Sequence, residues 1–232
     1  MEARFAVAPP PVVTLPVEGS AARFPVGRLF CIGRNYAAHA VEMGHDPDRE
    51  PPFFFLKPAS AIAGDGVFRR PRDRGEVHYE VEMVVALGKG GANIDVSDAL
   101  DCVFGYGVGL DMTLRDVQAE AKKLSRPWDV AKGFDGSAPC GALASVERVG
   151  HPAVGGISLS VNGEMRQSGD LNQMIWKVPE IIAELSRNFT LLPGDLIMTG
   201  TPAGVGPLVE GDAVAADIAG VAHLDLKVTG RD

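Results

Sequence analysis

The sequence predicts a strand-dominated α+β domain with a few short helices, and three observations predict it. Short apolar runs recur along the chain, and Gly, Pro, Asn or Asp bound most of them, which is the pattern of strands joined by turns. The 28 Gly and 17 Pro residues favour β-structure over a helical bundle, because both residues destabilise helix interiors. Helical periodicity is confined to three short stretches. A chain of 232 residues is long enough for one large domain with a substantial core.

The chain is predicted to begin with an extended segment over residues 1–27, ahead of a single domain over residues 28–232. Three consecutive prolines, Pro9–Pro11, precede the β-prone residues Val12–Leu15. Proline cannot donate a hydrogen bond inside a sheet, so the first segment is predicted to form edge strands or a flap.

Two short strands, Leu29–Ile32 and Phe53–Leu56, are predicted to flank the first helix. Asn35 is predicted to cap that helix, which ends near Met43. Residues 45–52 are then predicted to form a charged, proline-containing loop of the kind that closes over a site as a lid.

The middle of the chain contains two longer apolar runs, Val77–Leu87 and Val103–Leu110, both predicted as strands. A second helix follows them and reaches about Leu124. Thr113 and Asp116 are predicted to form a capping box at its start, because a side-chain oxygen there can bind free backbone N–H groups.

Pro179 suits the first position of a third helix, whose apolar residues Ile181, Ile182 and Leu185 are predicted to face inward. The tail is predicted to form a β-hairpin over Asp212–Val228, because apolar and polar residues alternate along its second half.

Composition excludes several classes of protein. The chain is 46% hydrophobic and 22% charged, with a formal net charge of −8, which disfavours non-specific binding to nucleic acid or to an anionic membrane. No apolar run reaches the roughly 20 residues of a membrane-spanning helix, and the first residues do not have the pattern of a signal peptide. The cysteines Cys31, Cys102 and Cys140 are scattered in apolar surroundings, so they are predicted to be reduced core thiols of a cytoplasmic protein.

The strongest chemical signal is the pair Glu80 and Glu82, which are one residue apart in the apolar run Val77–Leu87. On a strand both side chains point to the same face, so the two carboxylates repel each other and need a positive charge between them. Asp111, at the end of the next strand, could supply a third oxygen ligand. Such a set suits Mg²⁺, Mn²⁺ or Ca²⁺. The alternative is that Glu80 and Glu82 form the solvated side of an edge strand.

His39 and Glu42 are three residues apart on the first helix, so their side chains share a face. A carboxylate beside an imidazole fixes its tautomer and raises its basicity, as a base that activates water requires. The alternative is a solvent-exposed pair on an amphipathic helix.

Three further polar residues have two interpretations each. Lys132 is a lone lysine among small and apolar residues, and it is either a surface side chain or a buried cation that stabilises an oxyanion. Arg115 and Gln118, just after Asp111, either point toward a ligand or form the polar face of the second helix.

The segment Thr199–Gly206 is rich in glycine, so its backbone N–H groups could approach a carboxylate or phosphate. It does not match the nucleotide-binding pattern of a P-loop. The sequence also contains no Gly-x-Ser-x-Gly motif, which argues against an acyl-enzyme mechanism.

Together these motifs resemble those of the fumarylacetoacetate hydrolase family. The similar stretches are GRNYAAHAVEMG (33–44), FFFLKPASA (53–61), HYEVEMVVALGK (78–89), GYGVGLDMTLRDVQ (105–118), KGFDGSAP (132–139) and DLIMTGTPAGVG (195–206). The short, single-domain acylpyruvate hydrolase branch is the most similar. The stretches around residues 45–58 and 170–186 resemble fumarylpyruvate hydrolases of bacterial gentisate breakdown.

The resemblance implies a rolled mixed β-sheet, a homodimer and one divalent cation, Mg²⁺ or Mn²⁺. It places Glu80, Glu82 and Asp111 at the metal-ligand positions, His39 and Glu42 at the catalytic dyad, and Lys132 at the active-site lysine. It assigns substrate contacts to the loop containing Gly200 and Thr201. The substrate would be a 2,4-diketo acid, most specifically fumarylpyruvate, cleaved to fumarate and pyruvate.

Other reactions pass through a similar pyruvate enolate, so oxaloacetate decarboxylation, isomerisation and dehydration are alternatives. Outside enzymology, the alternative is a non-catalytic protein that binds a metal and a carboxylate. The second carboxylate of a fumaryl substrate would need a cation, and the sequence does not rank the four candidates, Arg34, Arg49, Arg115 and Arg126.

Overall fold

The computed structural model describes residues 5–43, 51–72 and 75–230. In these ranges the chain forms eighteen strands: β1 (Thr14–Pro16), β2 (Arg23–Pro25), β3 (Leu29–Gly33), β4 (Phe53–Lys57), β5 (Ile62–Ala63), β6 (Val67–Arg70), β7 (Val77–Tyr79), β8 (Val81–Leu87), β9 (Val103–Leu110), β10 (Thr113–Leu114), β11 (Ala138–Pro139), β12 (Ala144–Ser145), β13 (Gly156–Val161), β14 (Glu164–Asp170), β15 (Leu196–Met198), β16 (Gly206–Pro207), β17 (Ala213–Ile218) and β18 (Ala222–Gly230). The five α-helices in the same ranges are α1 (Ala37–Glu42), α2 (Arg115–Lys123), α3 (Asp129–Lys132), α4 (Val146–Val149) and α5 (Val178–Asn188).

A six-stranded sheet of order β12-β9-β8-β15-β3-β4 carries most of the candidate site. Its strands pair antiparallel except β15 with β3, which are parallel. Every residue of β8 is buried, because the strand is third in the sheet and both faces are covered. The predicted α+β class with a rolled mixed β-sheet is therefore confirmed.

A five-stranded sheet of order β14-β13-β17-β18-β6 packs against the first sheet. The main core lies between them and includes Met83, Val108, Leu159, Ala216 and Leu226. The alternation predicted for the C-terminal hairpin is confirmed, since the apolar residues of β18 face this core while their charged neighbours are exposed.

A second apolar cluster covers the other face of the six-stranded sheet. Leu15 of β1 and Phe24 of β2 pack there against Leu29, Val84 and Met198. The N-terminal segment therefore forms a two-stranded hairpin that covers the sheet. The division of the chain into a segment at 1–27 and a separate domain at 28–232 stays a prediction.

Three details of the predicted elements are wrong. Val77–Leu87 is interrupted at Glu80, which lies between β7 and β8. Asn35 does not cap α1. Its side chain is buried and bonds to the backbone of Trp176 and Thr199 instead. Thr113 forms no capping box, because its hydroxyl donates to the carbonyl of Asp111 (3.1 Å) and α2 begins without a side-chain cap.

Other predictions are confirmed. Pro179 lies in the first turn of α5, and Ile181, Ile182 and Leu185 are fully buried. The three cysteines are free and buried.

Most of the predicted lid at residues 45–52, including Arg49, lies outside the described residues. Of the helices described, none is both long and apolar enough to cross a membrane.

Candidate active site

Three carboxylates converge on one point between the middle strands of the six-stranded sheet. Glu82 is the second residue of β8, Glu80 lies just before that strand, and Asp111 directly follows β9. The antiparallel register places Val81 opposite Leu110, and the N–H of Asp111 donates to the carbonyl of Glu80 at 2.9 Å. One oxygen from each carboxylate lies within 4.8 Å of the other two, and all three side chains are buried. The edge-strand alternative is therefore wrong.

Three cations surround these carboxylates. The ammonium of Lys132, the last residue of α3, lies 2.8 Å from Glu80 and 2.6 Å from Asp111. Lys57, the last residue of β4, is paired with Asp111 at 2.8 Å. The guanidinium of Arg115 donates to Glu80. Lys132 is only 3% exposed, so the surface-lysine alternative is wrong.

The surrounding charges shift the pKa values of Glu80 and Glu82 in opposite directions. Burial would raise the pKa of Glu80, but Lys132 and Arg115 lower it to about 2. Burial disfavours the charged form of Lys132, yet the neighbouring Asp111 and Glu80 raise its pKa, so it is protonated at neutral pH. Burial and the negative charges of Asp111 and Glu80 raise the pKa of Glu82 well above its usual value. Glu82 is the carboxylate least compensated by its surroundings.

This donor set fits one divalent cation. It consists of carboxylate oxygens, which Mg²⁺ and Mn²⁺ prefer, and it contains no thiolate or imidazole that would favour zinc or copper. A divalent ion would also relieve the repulsion that raises the pKa of Glu82. The cofactor prediction of one divalent cation is therefore supported by the chemistry of the residues present.

His39 and Glu42 form the predicted pair on α1. Nδ1 of His39 lies 3.1 Å from Oε2 of Glu42, and His39 is 7% exposed. Because Glu42 accepts the proton on Nδ1, the other ring nitrogen of a neutral His39 is left as an acceptor. The alternative of two solvent-exposed side chains is wrong for His39, although Glu42 is partly exposed.

Helix α2 presents three polar side chains on one face, since Arg115, Gln118 and Lys122 are spaced at i, i+3 and i+7. The guanidinium of Arg115 donates to Oε1 of Gln118 at 2.8 Å, and Gln118 is buried. Arg115 thus links Gln118 to the ligand position Glu80. Both residues line the cleft, so the interpretation as a solvated helix face is wrong for the buried Gln118, and contact of either residue with a ligand stays a prediction.

The glycine-rich loop after β15 contacts both the carboxylates and a buried glutamine. The N–H of Gly200 donates to Oε2 of Glu82 at 2.7 Å. Gln167 donates to the hydroxyl of Thr201 at 2.8 Å, and its carbonyl accepts the N–H of Val81 at 2.9 Å. Gln167 therefore fills the interruption before β8 and holds the loop next to it. Substrate contact by Gly200 and Thr201 stays a prediction.

A cleft opens onto these groups. Its lining brings together nearly all of the predicted site residues, namely Arg34, His39, Glu80, Glu82, Asp111, Arg115, Gln118, Lys132 and Thr201. Arg126 is exposed and lines a neighbouring cavity instead. The cleft is also lined by three aromatic rings, those of Phe53, Phe55 and Trp128.

Sequence reasoning missed three residues of this site. Lys57 follows an apolar strand and precedes a proline, and the argument used for Lys132, a lone lysine among apolar residues, would have found it. Gln167 lies in the polar stretch of β14, which gives no sign of its burial. Lys122 could not be distinguished from the exposed Lys123 next to it, because only the orientation of the helix decides which of the two side chains faces the cleft.

Comparison with known proteins agrees with this geometry. Residues 28–229 match the family described as Fumarylacetoacetate (FAA) hydrolase C-terminal. The structure resembles that of fumarylpyruvate hydrolase from Pseudomonas aeruginosa in complex with Mn²⁺ and pyruvate, with a TM-score of 0.94 and 47% identity over 98% of this chain and 100% of that one. The chain is also 45% identical to the mitochondrial oxaloacetate tautomerase FAHD1 of Mus musculus, over 86% of this chain and 90% of the relative. It is 42% identical to the mitochondrial oxaloacetate decarboxylase of Dictyostelium discoideum, over 84% and 89% of the two chains.

Proposed function

The chain belongs to the fumarylacetoacetate hydrolase family, and on that premise we propose that it hydrolyses the carbon–carbon bond of an acylpyruvate, fumarylpyruvate, to fumarate and pyruvate. One observation carries the proposal: His39, oriented by Glu42, lines the same cleft as the three carboxylates. The Pseudomonas aeruginosa fumarylpyruvate hydrolase, 47% identical, supports the choice of substrate.

Glu80, Glu82 and Asp111 would hold one Mg²⁺ or Mn²⁺ ion. When bound, such an ion acts as a Lewis acid that stabilises negative charge developing on an oxygen of the pyruvate fragment.

His39 has the position and the tautomer for a general base. Its ring nitrogen remote from Glu42 takes a proton from a water molecule, whose oxygen adds to the carbonyl carbon of the acyl group. The bond from that carbon to the methylene of the pyruvate fragment then breaks, and its electron pair passes to the fragment as an enolate. Protonation of the enolate carbon gives pyruvate, and the acyl group leaves as a carboxylic acid.

Lys132 would stabilise the oxyanion of the hydrated acyl carbonyl. Two of its three N–H bonds are directed to Glu80 and Asp111, which leaves one donor for a ligand in the cleft. Its charge is held in a buried site, where a fixed donor stabilises an oxyanion more strongly than water does.

Two relatives favour a second candidate, a reaction of oxaloacetate. Tautomerisation moves one proton between the enol oxygen and the methylene carbon, and decarboxylation releases carbon dioxide. Neither reaction consumes water, so neither requires His39 to activate it. The predicted homodimer, the cytoplasmic location and a role in gentisate breakdown stay predictions from the resemblance.

The test is to incubate chelator-treated protein with fumarylpyruvate, acetylpyruvate and oxaloacetate, with and without Mg²⁺ or Mn²⁺. Loss of enol absorbance and formation of pyruvate are followed together. Metal-dependent release of fumarate and pyruvate, faster than turnover of the other two compounds, supports the proposal. Because enol absorbance falls in tautomerisation as well, pyruvate and fumarate must be measured directly.

The other outcomes separate the alternatives. Loss of the oxaloacetate enol without pyruvate or fumarate would identify a tautomerase. Pyruvate from oxaloacetate alone would identify a decarboxylase. Tight binding of a metal and a carboxylate without turnover would indicate a non-catalytic protein.

A further inference from the structure

One wall of the cleft is aromatic. Trp128 packs edge-on against Phe53 and Phe55, with ring centroids 5.8 and 5.9 Å apart. We call these three residues the aromatic wall. Phe53 and Phe55 are held on strand β4, and Trp128 immediately precedes α3.

Each ring of the aromatic wall lies close to one cation. The distances to the ring centroids are 5.3 Å for Arg34 over Phe53, 5.0 Å for Lys132 over Phe55 and 5.1 Å for Lys122 over Trp128. An aromatic face attracts a cation through its quadrupole, so it positions the charge without neutralising it. At Trp128 the wall can therefore present the positive charge of Lys122 to a ligand.

Lys122 differs from the other cations of the cleft in its partners. Lys132 and Arg115 are both paired with Glu80. Within the described ranges, no carboxylate lies within ion-pair distance of Lys122. Burial lowers its pKa, and the positive charges of Arg115, Arg34 and Lys132 lower the pKa further. Four cations thus lie near one another, and Lys122 is held there by Trp128.

The structure assigns Lys122 to a subsite for the distal carboxylate of a dicarboxylic substrate. This inference rests on the proposed function and deepens it, since fumarylpyruvate carries a carboxylate at the end of its acyl group and acetylpyruvate does not. Lys122 lines the cleft that contains the three site carboxylates. Arg126 does not line it, and Arg115 is directed to Glu80 and Gln118.

The test compares two variants of adjacent lysines. Lys122→Met removes the charge but keeps the length of the side chain, and Lys123→Met removes the same charge from the exposed neighbouring position. The ratio of kcat/KM for fumarylpyruvate to kcat/KM for acetylpyruvate is expected to fall roughly ten- to a hundredfold in Lys122→Met, as for the loss of a bond to a charged group. Lys122→Arg is expected to recover most of this ratio, and Lys123→Met to keep the wild-type value.

A binding measurement separates this inference from the proposed function. Calorimetry of Mn²⁺-loaded protein with fumarate and with crotonate compares two ligands that differ in one carboxylate. Wild-type protein is expected to bind fumarate more tightly, and Lys122→Met is expected to lose most of that difference even if no acylpyruvate is turned over. Equal binding of the two ligands by wild type would overturn the subsite. So would an equal loss for both substrates in Lys122→Met.

Discussion

Gly204 donates its backbone N–H to the carboxylate of Glu42, at 3.0 Å from Oε1 and 3.2 Å from Oε2, across 162 residues of sequence. The same carboxylate meets Nδ1 of His39 at 3.1 Å. The orientation of the proposed base is thus set by the glycine-rich loop as well as by its own helix.

Replacing His39 by Ala is expected to reduce acylpyruvate hydrolysis by roughly 10²- to 10⁴-fold, since that is the usual contribution of a positioned base. Any oxaloacetate decarboxylation should fall much less, because it consumes no water. Initial rates with both substrates at saturating Mn²⁺ measure the two effects. His223→Ala, which changes an exposed histidine, is the control. Equal losses in both reactions would contradict the role of His39 as a base that activates water.

Glu82→Gln is expected to stabilise the protein in the presence of a chelator and to reduce the thermal stabilisation that added Mn²⁺ provides. Glutamine removes a buried negative charge beside Glu80 and Asp111 but keeps the shape of the side chain. The thermal midpoint in EDTA should therefore rise above that of wild type, and the increase on adding Mn²⁺ should shrink. Differential scanning calorimetry measures both values, with the exposed Glu210→Gln as control. An unchanged Mn²⁺ response would exclude Glu82 as a ligand.

Lys57→Met is expected to lower the free energy of unfolding by about 3–5 kcal/mol, the usual cost of removing one partner of a buried ion pair, because Asp111 then keeps only its pairing with Lys132 beside the buried Glu80 and Glu82. The ammonium of Lys57 pairs with Asp111, and it also donates to the carbonyls of Lys132 and Ser137. Urea unfolding measures the loss, and Lys227→Met on the exposed side of β18 is the matched control. Equal stabilities of the two variants would show that Lys57 does not support Asp111.

Gly200→Ala is expected to be more destabilising than Gly211→Ala. Both glycines have positive φ, +94° and +96°, where a Cβ costs about 1 kcal/mol or more. At Gly200 the new Cβ would also lie 2.7 Å from Cβ of Asn35, whereas at Gly211 nothing lies within 4 Å. The difference between the two losses, measured by urea unfolding, isolates the clash. It is expected to be roughly 1–3 kcal/mol, the cost of overpacking. A difference near zero would mean that the loop moves without cost.

Hydrogen bonds that His223 donates to the carboxylates of Asp217 and Asp225 raise the pKa of His223 above its ordinary value of 6.5. The folded state therefore binds this proton more tightly than the unfolded chain does. The resulting stabilisation is complete below the unfolded pKa and is lost as pH rises through the raised folded pKa. His223→Gln should lower the thermal midpoint more at about pH 5.5 than at about pH 9. The effect should stay below about 1 kcal/mol, since the group is exposed. A larger loss at the higher pH would contradict this assignment.

Much of the fold could be predicted because its signals are local. The alternating pattern of the C-terminal hairpin and the apolar positions of α5 are properties of neighbouring residues, and both predictions are confirmed. The predictions of helix caps at Asn35 and Thr113 are wrong for a different reason. Asn35 is buried and bonds to backbone groups that reach it only in the tertiary structure, whereas the hydroxyl of Thr113 donates to the nearby carbonyl of Asp111 instead of to the start of the helix.

The residues of the candidate site also fall into those that the sequence could predict and those that it could not. Glu80, Glu82 and Asp111 could be predicted to converge, because strand periodicity places the first two on one face and charge repulsion demands a cation. Gln167 could not be predicted, since it reaches Val81 and Thr201 only through a separate sheet. The orientation of Lys122 depends on Trp128, which becomes its neighbour when α2 and α3 pack together.

The three-residue strand β15 hydrogen-bonds to β3 on one side and to β8 on the other, pairing Leu196 with Leu29. A ribosome adds about 5–20 residues per second, so β3 waits on the order of ten seconds or longer after its synthesis before this partner emerges. Until then the strand that leads into α1 and the strand that carries Glu82 remain in separate halves of the sheet. Catalytic competence therefore comes late in biosynthesis, and a nascent chain released before residue 198 lacks the strand that joins those halves.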